Sequence, residues 1–305
     1  MTFYDNEPIF AWFGGIREGE SDSSIYIQYK NNVYSFGTNT NIPYWNPVLF
    51  NIQDQVFLAY KIGVFCDRWQ SLIINITDMD FDNISKKPNF IIPAGLNFCV
   101  KTKPIVVDNL VYCGSSVETI FDWSSYEEIY TYNDNKFEFY HRSNPLTAPK
   151  KTYKTYNGYK RNTLGLIQPS LWMDNNSVRH AFFRSSQGLG KIYYAKIKEG
   201  TDNKEWTEPQ STQFDNPNSG IDTIYNGRLF LVYNPDERQR SPLVISELDM
   251  DHHIVDSMVI KKEIPQKDVE FTGELSYPFM VEHDDNIHLT YTHGRTKIEY
   301  CIIEK

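Results

Sequence analysis

Arg17 in FGGIREG, Arg184 in AFFRSSQG and Arg240 in NPDERQRSPL each follow a run of alternating apolar residues. A guanidinium is a rigid planar fork of donors. Such a fork pairs bidentately with a carboxylate, and arginines at equivalent repeat positions could converge on one face. Tyr277 heads the stretch GELSYPFMVEHDDNIHLTYT, directly before Pro278. NPNSGID places Asn218, Ser219 and Asp222 in one polar stretch whose amide and hydroxyl groups match sugar hydroxyls. The same stretch also reads as an ordinary Pro/Asn turn. Lys103 and Asn234 occupy comparable loops, as do Lys61, His288, His293 and Arg295.

These residues are carried by a repeat. Six segments share one pattern of an alternating run, a turn containing Asn, Asp, Gln or Gly, and a second alternating run. With Asn6, Gln55, Asn109, Asn176, Gly227 and Asn286 as turn markers, the intervals are 49, 54, 67, 51 and 59 residues. Period-2 alternation on both sides of a turn predicts a β-hairpin. In RLFLVYN both faces of the strand are apolar, which suits a strand covered on both sides. One hairpin per repeat leaves room for two outer strands, and six four-stranded units make a six-bladed β-propeller. The alternative is a β-sandwich built from hairpins. WSSYEEIYTY reads as a strand because of its aromatics. The expected organisation is one domain, residues 1–305.

The segments AWFGGIREGESD, PYWNPVLF, VFLAYKIG, KTKPIVV, IQPSLW, RSSQG, NPNSGIDTIYNGRLFLVYNPDERQRSPL and GELSYPFMVEHDDNIHLTYTHGRTKI, in that order, resemble the sialidase-like BNR-repeat family of six-bladed, exo-alpha-sialidase-like propellers. The resemblance implies an arginine cluster around a carboxylated sugar, a tyrosine nucleophile assisted by a carboxylate, and an aspartate acid/base. On that basis Tyr277 stands in the nucleophile's place, Arg17, Arg184 and Arg240 in the cluster, and Asp22 of REGESD in the acid/base position. Two departures accompany it. The assisting glutamate is replaced by Gln168, whose amide cannot accept the tyrosine's proton, leaving Glu274 or Glu118 as substitutes. The strand that carries the family's first arginine is reduced to MTFY. Degenerate Asp-boxes occur in EGTDNKEWTEP (Thr201, Asp202, Trp206), NITDMDFDN and ISELDMDHH, where an Asp caps a turn and an aromatic packs between blades. The implied activity is glycoside hydrolysis of an acidic sugar or glycan. Two alternatives stand beside it. One is a polysaccharide lyase using Tyr277, His288 or His293 beside a uronate carboxylate. The other is a non-catalytic glycan-binding or structural propeller, possible in a phage particle given the Asn-, Lys-, Ile- and Tyr-rich composition.

The 305 residues are 40% hydrophobic, 23% charged and 15% aromatic, the profile of a folded all-β chain. A net charge of -9 repels phosphate backbones and argues against nucleic acid as a partner. The N-terminus lacks a basic segment followed by an apolar one, and no run approaches the ~18 apolar residues of a membrane span. The expectation is a protein of the cytoplasm, or of a viral particle if phage-derived, with no cofactor. DMDHHI has no third ligand at a suitable spacing, so no metal is expected. Cys66, Cys99, Cys113 and Cys301 lack framework spacing and are expected as buried free thiols. Thiol titration of native protein unfolded under non-reducing conditions should therefore count four thiols; a Cys99–Cys113 bridge in the native mass spectrum would refute this.

Overall fold

A computed structural model describes residues 1–37, 41–77, 88–119, 122–149, 153–156, 159–162, 164–200, 204–264 and 271–304, with the backbone alone for 153–156 and 159–162. Hairpins turn where the sequence supplies residues that tolerate a left-handed backbone. Asp5–Asn6 (φ 50° and 60°), Asp134–Asn135 (48° and 59°) and Asp284–Asp285 (47° and 60°) are such pairs.

Blade 1 is β1 (Thr2–Tyr4), β2 (Glu7–Gly14), β3 (Ser24–Tyr29) and β4 (Asn32–Phe36). Blade 2 is β5 (Tyr44–Ile52), β6 (Gln55–Ile62), β7 (Gln70–Asn75) and β8 (Phe90–Ile91), and blade 3 is β9 (Ile105–Val107), β10 (Leu110–Glu118), β11 (Trp123–Asn133) and β12 (Lys136–Arg142). A separate hairpin pairs β13 (Tyr153–Tyr156) with β14 (Tyr159–Asn162). Blade 4 is β15 (Leu166–Met173), β16 (Arg179–Ser185), β17 (Lys191–Lys196) and β18 (Gln210–Asp215). Blade 5 is β19 (Asp222–Tyr225), β20 (Leu229–Tyr233), β21 (Leu243–Leu248) and β22 (Ile254–Lys261), and blade 6 is β23 (Leu275–His283), β24 (Asn286–His293) and β25 (Lys297–Glu304). Each blade is an antiparallel meander of consecutive strands, and the fold class is the six-bladed β-propeller expected from the repeat. WSSYEEIYTY is strand β11. Among the described residues the helical content is one 3-10 turn, Cys66–Arg68, and no helix is long and apolar enough to cross a membrane.

By contacts the chain divides into two units, residues 1–119 with 127–142, and residues 120–126 with 143–305. In the first, Ile9, Ile25, Ile27, Leu49 and Leu58 lie in one apolar cluster. In the second, Trp172, Phe182 and Leu231 lie in one cluster, and Val232, Leu275, Met280 and Leu289 in another. Four-stranded meanders are apolar on both faces because each is covered on both. Trp172 is core, stacked at 3.9 Å on His180. Lys61, placed in sequence among loop residues, is wholly buried in the first unit and donates to the Cys99 carbonyl at 2.5 Å; burial pulls its pKa down to about 8. Cys99 and Cys113 are buried thiols, Cys301 is half-buried, and Cys66 is exposed, contrary to the expectation that all four lie in the core.

One feature repeats in blades 2, 4 and 6. Register steps by one between Trp45 and Val48, Ile167 and Ser170, and Ser276 and Phe279, so that Asn46–Pro47, Gln168–Pro169 and Tyr277–Pro278 each oppose a single residue. Proline cannot donate to the ladder, which favours a bulge there. The residue before it is left-handed, at φ 44°, 51° and 52° respectively. Extended backbone is usual before proline, so these three positions are strained, and the bulge takes their side chains out of the strand's alternation.

Asp222 is a correction to the sequence reading, which placed it at a sugar. It is fully buried; one carboxylate oxygen accepts the Ser170 hydroxyl at 3.1 Å and the other the Met280 amide at 2.7 Å. It thereby ties together the first strands of blades 4, 5 and 6. Asn234 is likewise structural, its amide donating to the Pro242 and Leu275 carbonyls at 2.9 and 3.0 Å. Asp222→Ala should lower unfolding free energy by about 1–3 kcal/mol through the buried donors left unpaired. Urea melts will read this, and an unchanged midpoint would contradict the strut.

Candidate functional site

The second unit gathers charged side chains where blades 4, 5 and 6 present first-strand starts and second-strand ends. Arg184 lies near the end of β16, opposite Ile167, one residue before the first bulge of this unit. Its side chain is buried, with Nε donating to Asn218 Oδ1 at 3.0 Å and Nη1 to Gln168 Oε1 at 2.8 Å. Asn218 is left-handed (φ 58°) in the loop between β18 and β19. Asn216 braces that loop, donating to the Ser219 carbonyl and accepting from the Ser219 amide. Gln168, read from sequence as a defective base, is a neutral acceptor that orients Arg184.

Arg240 comes from the loop between β20 and β21. Asp236 caps this loop by accepting the amides of Arg238 and Gln239. The Leu275 amide donates to the Arg240 carbonyl at 2.8 Å, which sets the arginine beside the start of β23. Its guanidinium then donates to Glu274 Oε1 at 2.8 Å and to the Asn218 carbonyl at 2.8 Å. Asn218 thus touches both arginines, one through its side chain and one through its backbone.

Tyr277 sits between them, half-buried, with the Arg184 and Arg240 guanidinium carbons each 5.7 Å from its ring centre, within the range of cation–π attraction. Arg295, left without a role in the sequence reading, is the third cation. Gly294 and Arg295 are both left-handed (φ 58° and 55°) and form the turn from β24 to β25, where glycine needs no strain to comply. Arg295 Nε donates to Glu274 Oε2 at 3.1 Å, and its guanidinium lies 4.0 Å from the Phe271 ring centre. The available signal was positional, since HGRTK follows the second strand of its blade much as FRSSQG does.

Glu274 is therefore shared, with Oε1 accepting Ser276 Oγ at 2.7 Å and Arg240, and Oε2 accepting Arg295. Burial pushes its carboxyl up, but Arg240, Ser276 and Arg295 together outweigh burial and hold it below the ordinary carboxylate range. This tells against the role of proton acceptor for Tyr277. Ser219 is buried beside Asn218 and lines the brace. Arg17, Asp22, Lys103 and Glu118 belong to the other unit. Arg17 is exposed, and Asp22 accepts the Ile16 amide at 2.7 Å, capping the β2–β3 loop. Glu118 accepts the Ser116 hydroxyl. Both ring nitrogens of His288 are engaged, with Tyr300 and the His283 carbonyl, and His293 pairs with Glu299 at 3.0 Å. Asp249 accepts the amides of Asp251 and His253, so ISELDMDHH is the capped turn expected. Thr201, Asp202 and the Asp-rich part of NITDMDFDN lie outside the described residues. Among the described residues no cluster of His, Cys, Asp and Glu is arranged to hold a metal ion.

Six antiparallel blades of consecutive strands define a six-bladed β-propeller. Residues 8–289 match the BNR repeat-like domain, and the chain belongs to that family. No curated protein matches it in sequence. Among solved structures it is similar to a protein of unknown function from Dyadobacter fermentans DSM 18053 (12% identity, TM-score 0.62, 93% of this chain and 86% of the other). It is also similar to the Hadza microbial sialidase Hz136 (10%, 0.63, 97% of this chain) and spans 63% of that protein's length. A third is the subtype N10 neuraminidase-like protein of A/little yellow-shouldered bat/Guatemala/060/2010 (10%, 0.54, 93% and 87%). At these identities the likeness is one of fold.

Because Glu274 is held below its ordinary pKa, the stability it contributes is present above that ordinary value, near 4.5, and is lost as pH falls through its lower folded value. Urea midpoints taken from pH 3 to 6 should therefore fall less steeply for Glu274→Gln than for wild type. Superimposable slopes would contradict the shared ion pair.

Proposed function

We propose that this chain is a sialidase-like glycan-recognising propeller whose site takes a carboxylated sugar at Arg184, Arg240 and Arg295, with Tyr277 in the nucleophile's place. The observation that carries this reading is the charge of the cluster. Three guanidiniums gather here and one carboxylate, Glu274, pairs with two of them, an excess of two positive charges among these contacts in a chain of net charge -9. Arg184 is oriented by the neutral acceptors Gln168 and Asn218, so its positive charge has no carboxylate partner among these contacts. A ligand carboxylate supplies the missing negative charge, and a planar fork binds it with defined orientation.

For glycoside hydrolysis, the Tyr277 oxygen would attack the anomeric carbon and its proton would need an acceptor. Glu274 is engaged on both oxygens, and Gln168 has no basic oxygen. Recognition of an acidic glycan is thus better supported than rapid turnover, and hydrolysis, where it occurs, is slow. The lyase alternative loses His288, whose two nitrogens are already engaged.

Calorimetric titration with sialic acid, glucuronic acid and galactose tests this reading. The acidic sugars should bind and galactose should not. Arg240→Ala should cost about 1.5–3 kcal/mol of binding, roughly 10- to 150-fold in affinity. Tyr277→Phe should retain binding and abolish any turnover of a sialoside. Galactose binding as tightly as sialic acid would overturn the carboxylate reading, and full activity in the phenylalanine variant would remove Tyr277 from the chemistry.

A further inference from the structure

Arg240 stands in the β20–β21 loop of blade 5 and Arg295 in the β24–β25 turn of blade 6, so their spacing depends on how these two blades are tied. On the β23 side the ties end on backbone. The Arg240 carbonyl accepts the Leu275 amide, and the Leu275 carbonyl accepts Asn234 Nδ2. On the β24–β25 side the tie is ionic. His293 Nε2 stands 3.6 Å from Glu263 Oε1, and His293 Nδ1 stands 3.0 Å from Glu299 Oε1. Lys261 reaches the same two carboxylates from β22, at 3.5 Å and 3.6 Å, and Lys297 reaches Glu299 at 3.3 Å. A carboxylate only accepts, so Nδ1 presents its hydrogen to Glu299. Bonds from His293 and Lys297 hold the Glu299 carboxyl down at about 2, which keeps it an acceptor at neutral pH.

Both ends of this tie lead into the arginine cluster. His293 ends β24; Gly294, next in sequence, donates its amide to the Glu274 carbonyl at 2.7 Å, and Arg295 follows. Glu263 leads to the other arginine. Its amide donates to Ser241 Oγ at 3.0 Å, the same hydroxyl donates to its carbonyl at 2.8 Å, and Ser241 directly follows Arg240. The contacts close a ring. One arc runs from Arg240 through Glu274 to Arg295, and the other returns from Arg295 through His293, Glu263 and Ser241 to Arg240. We infer that His293 is a positioning residue for the cluster: its imidazole, held between Glu263 and Glu299, closes the ring and fixes Arg295 on Glu274 at a set spacing from Arg240. The ring belongs to the folded chain alone, while its bearing on a ligand rests on the proposed carboxylated-sugar function. An imidazole suits the place because its two nitrogens point apart and reach two carboxylates at once. Lys261 balances those carboxylates from β22, and His293, two residues from Arg295, passes the tie into the turn.

The test reads hydrogen exchange at arginine Nε by NMR in protein without ligand. Two Nε–H groups of the cluster have defined acceptors, Arg295 on Glu274 Oε2 and Arg184 on Asn218 Oδ1. His293→Gln and Glu263→Gln should each speed exchange at Arg295 by about 2- to 30-fold, the range for coupling carried through intervening residues, and leave Arg184 unchanged. Glu263→Gln keeps the backbone bonds to Ser241, so it breaks only the link to the imidazole and its neighbours. Because both substitutions open the same link, the double variant should exchange no faster than the quicker single one. Calorimetric titration of the same variants with sialic acid should show affinity falling by a similar factor. Adding His293→Gln to Arg295→Ala should bring no further fall, since His293 acts through Arg295. Unchanged Arg295 exchange in both single variants overturns the inference. Equal acceleration at Arg184 also overturns it, because that marks general loosening of the fold. Faster Arg295 exchange with unchanged affinity overturns the bearing on the ligand. A wild type that binds no acidic sugar overturns the carboxylated-sugar function by itself, and Arg295 exchange then decides for or against the ring.

Discussion

Charge repulsion is the constraint around which the second unit's polar chemistry is arranged. Three guanidinium groups drawn together repel one another, and partial burial weakens the screening that would relieve them. Glu274 answers part of that repulsion by holding Arg240 and Arg295 on separate oxygens. Arg184 is answered differently, by the amide oxygens of Gln168 and Asn218, which fix its orientation without neutralising it. The result is a cluster in which one carboxylate serves two of the three guanidinium groups and a net positive charge remains among these contacts. Replacing Gln168 with a carboxylate would add a proton acceptor beside Tyr277 and remove much of that positive excess.

The backbone makes the arrangement possible through the bulges. An ordinary strand alternates its side chains between two faces, so a residue aimed elsewhere requires a break in the ladder. In blades 4 and 6 that break falls at Gln168–Pro169 and Tyr277–Pro278, and proline makes it permanent because it has no amide hydrogen to offer. The same device at Asn46–Pro47 in blade 2 stands beside Lys61, the positional counterpart of Arg184. Lys61 is buried on a backbone carbonyl, so equivalent positions in the two units serve different ends. Repetition of a fold preserves the place of a residue while its neighbours decide its use.

Structural and binding roles separate by satisfaction. Asp222 and Asn234 look like sugar ligands in sequence because they are polar and close to a Pro/Asn turn. Both carboxylate oxygens of Asp222 and the side-chain nitrogen of Asn234 are nevertheless taken by backbone or hydroxyl partners in the core, where an unpaired group is costly. Asn218 lies four residues before Asp222 and remains at the site, since its left-handed backbone turns both its amide oxygen and its carbonyl toward arginines.

Much of this protein is legible from its sequence. Alternation about left-handed turn residues specifies hairpins locally, and six of them at similar spacing specify blades, because each depends on neighbouring residues alone. That Arg184, Arg240 and Tyr277 come together was also legible, through their position relative to those hairpins. Tertiary structure decided what sequence spacing cannot carry. Arg295 joins Arg240 through Glu274 although 55 residues separate the two arginines, since a hydrogen bond depends on distance in space. Glu274, read as a substitute proton acceptor, and Gln168, read as a residue that cannot accept a proton, became an ion-pair bridge and a neutral brace once their partners were in place. Burial likewise took Asp222 into the core and left Tyr277 half-open, a distinction set by which strands pack against each residue and invisible in residue type.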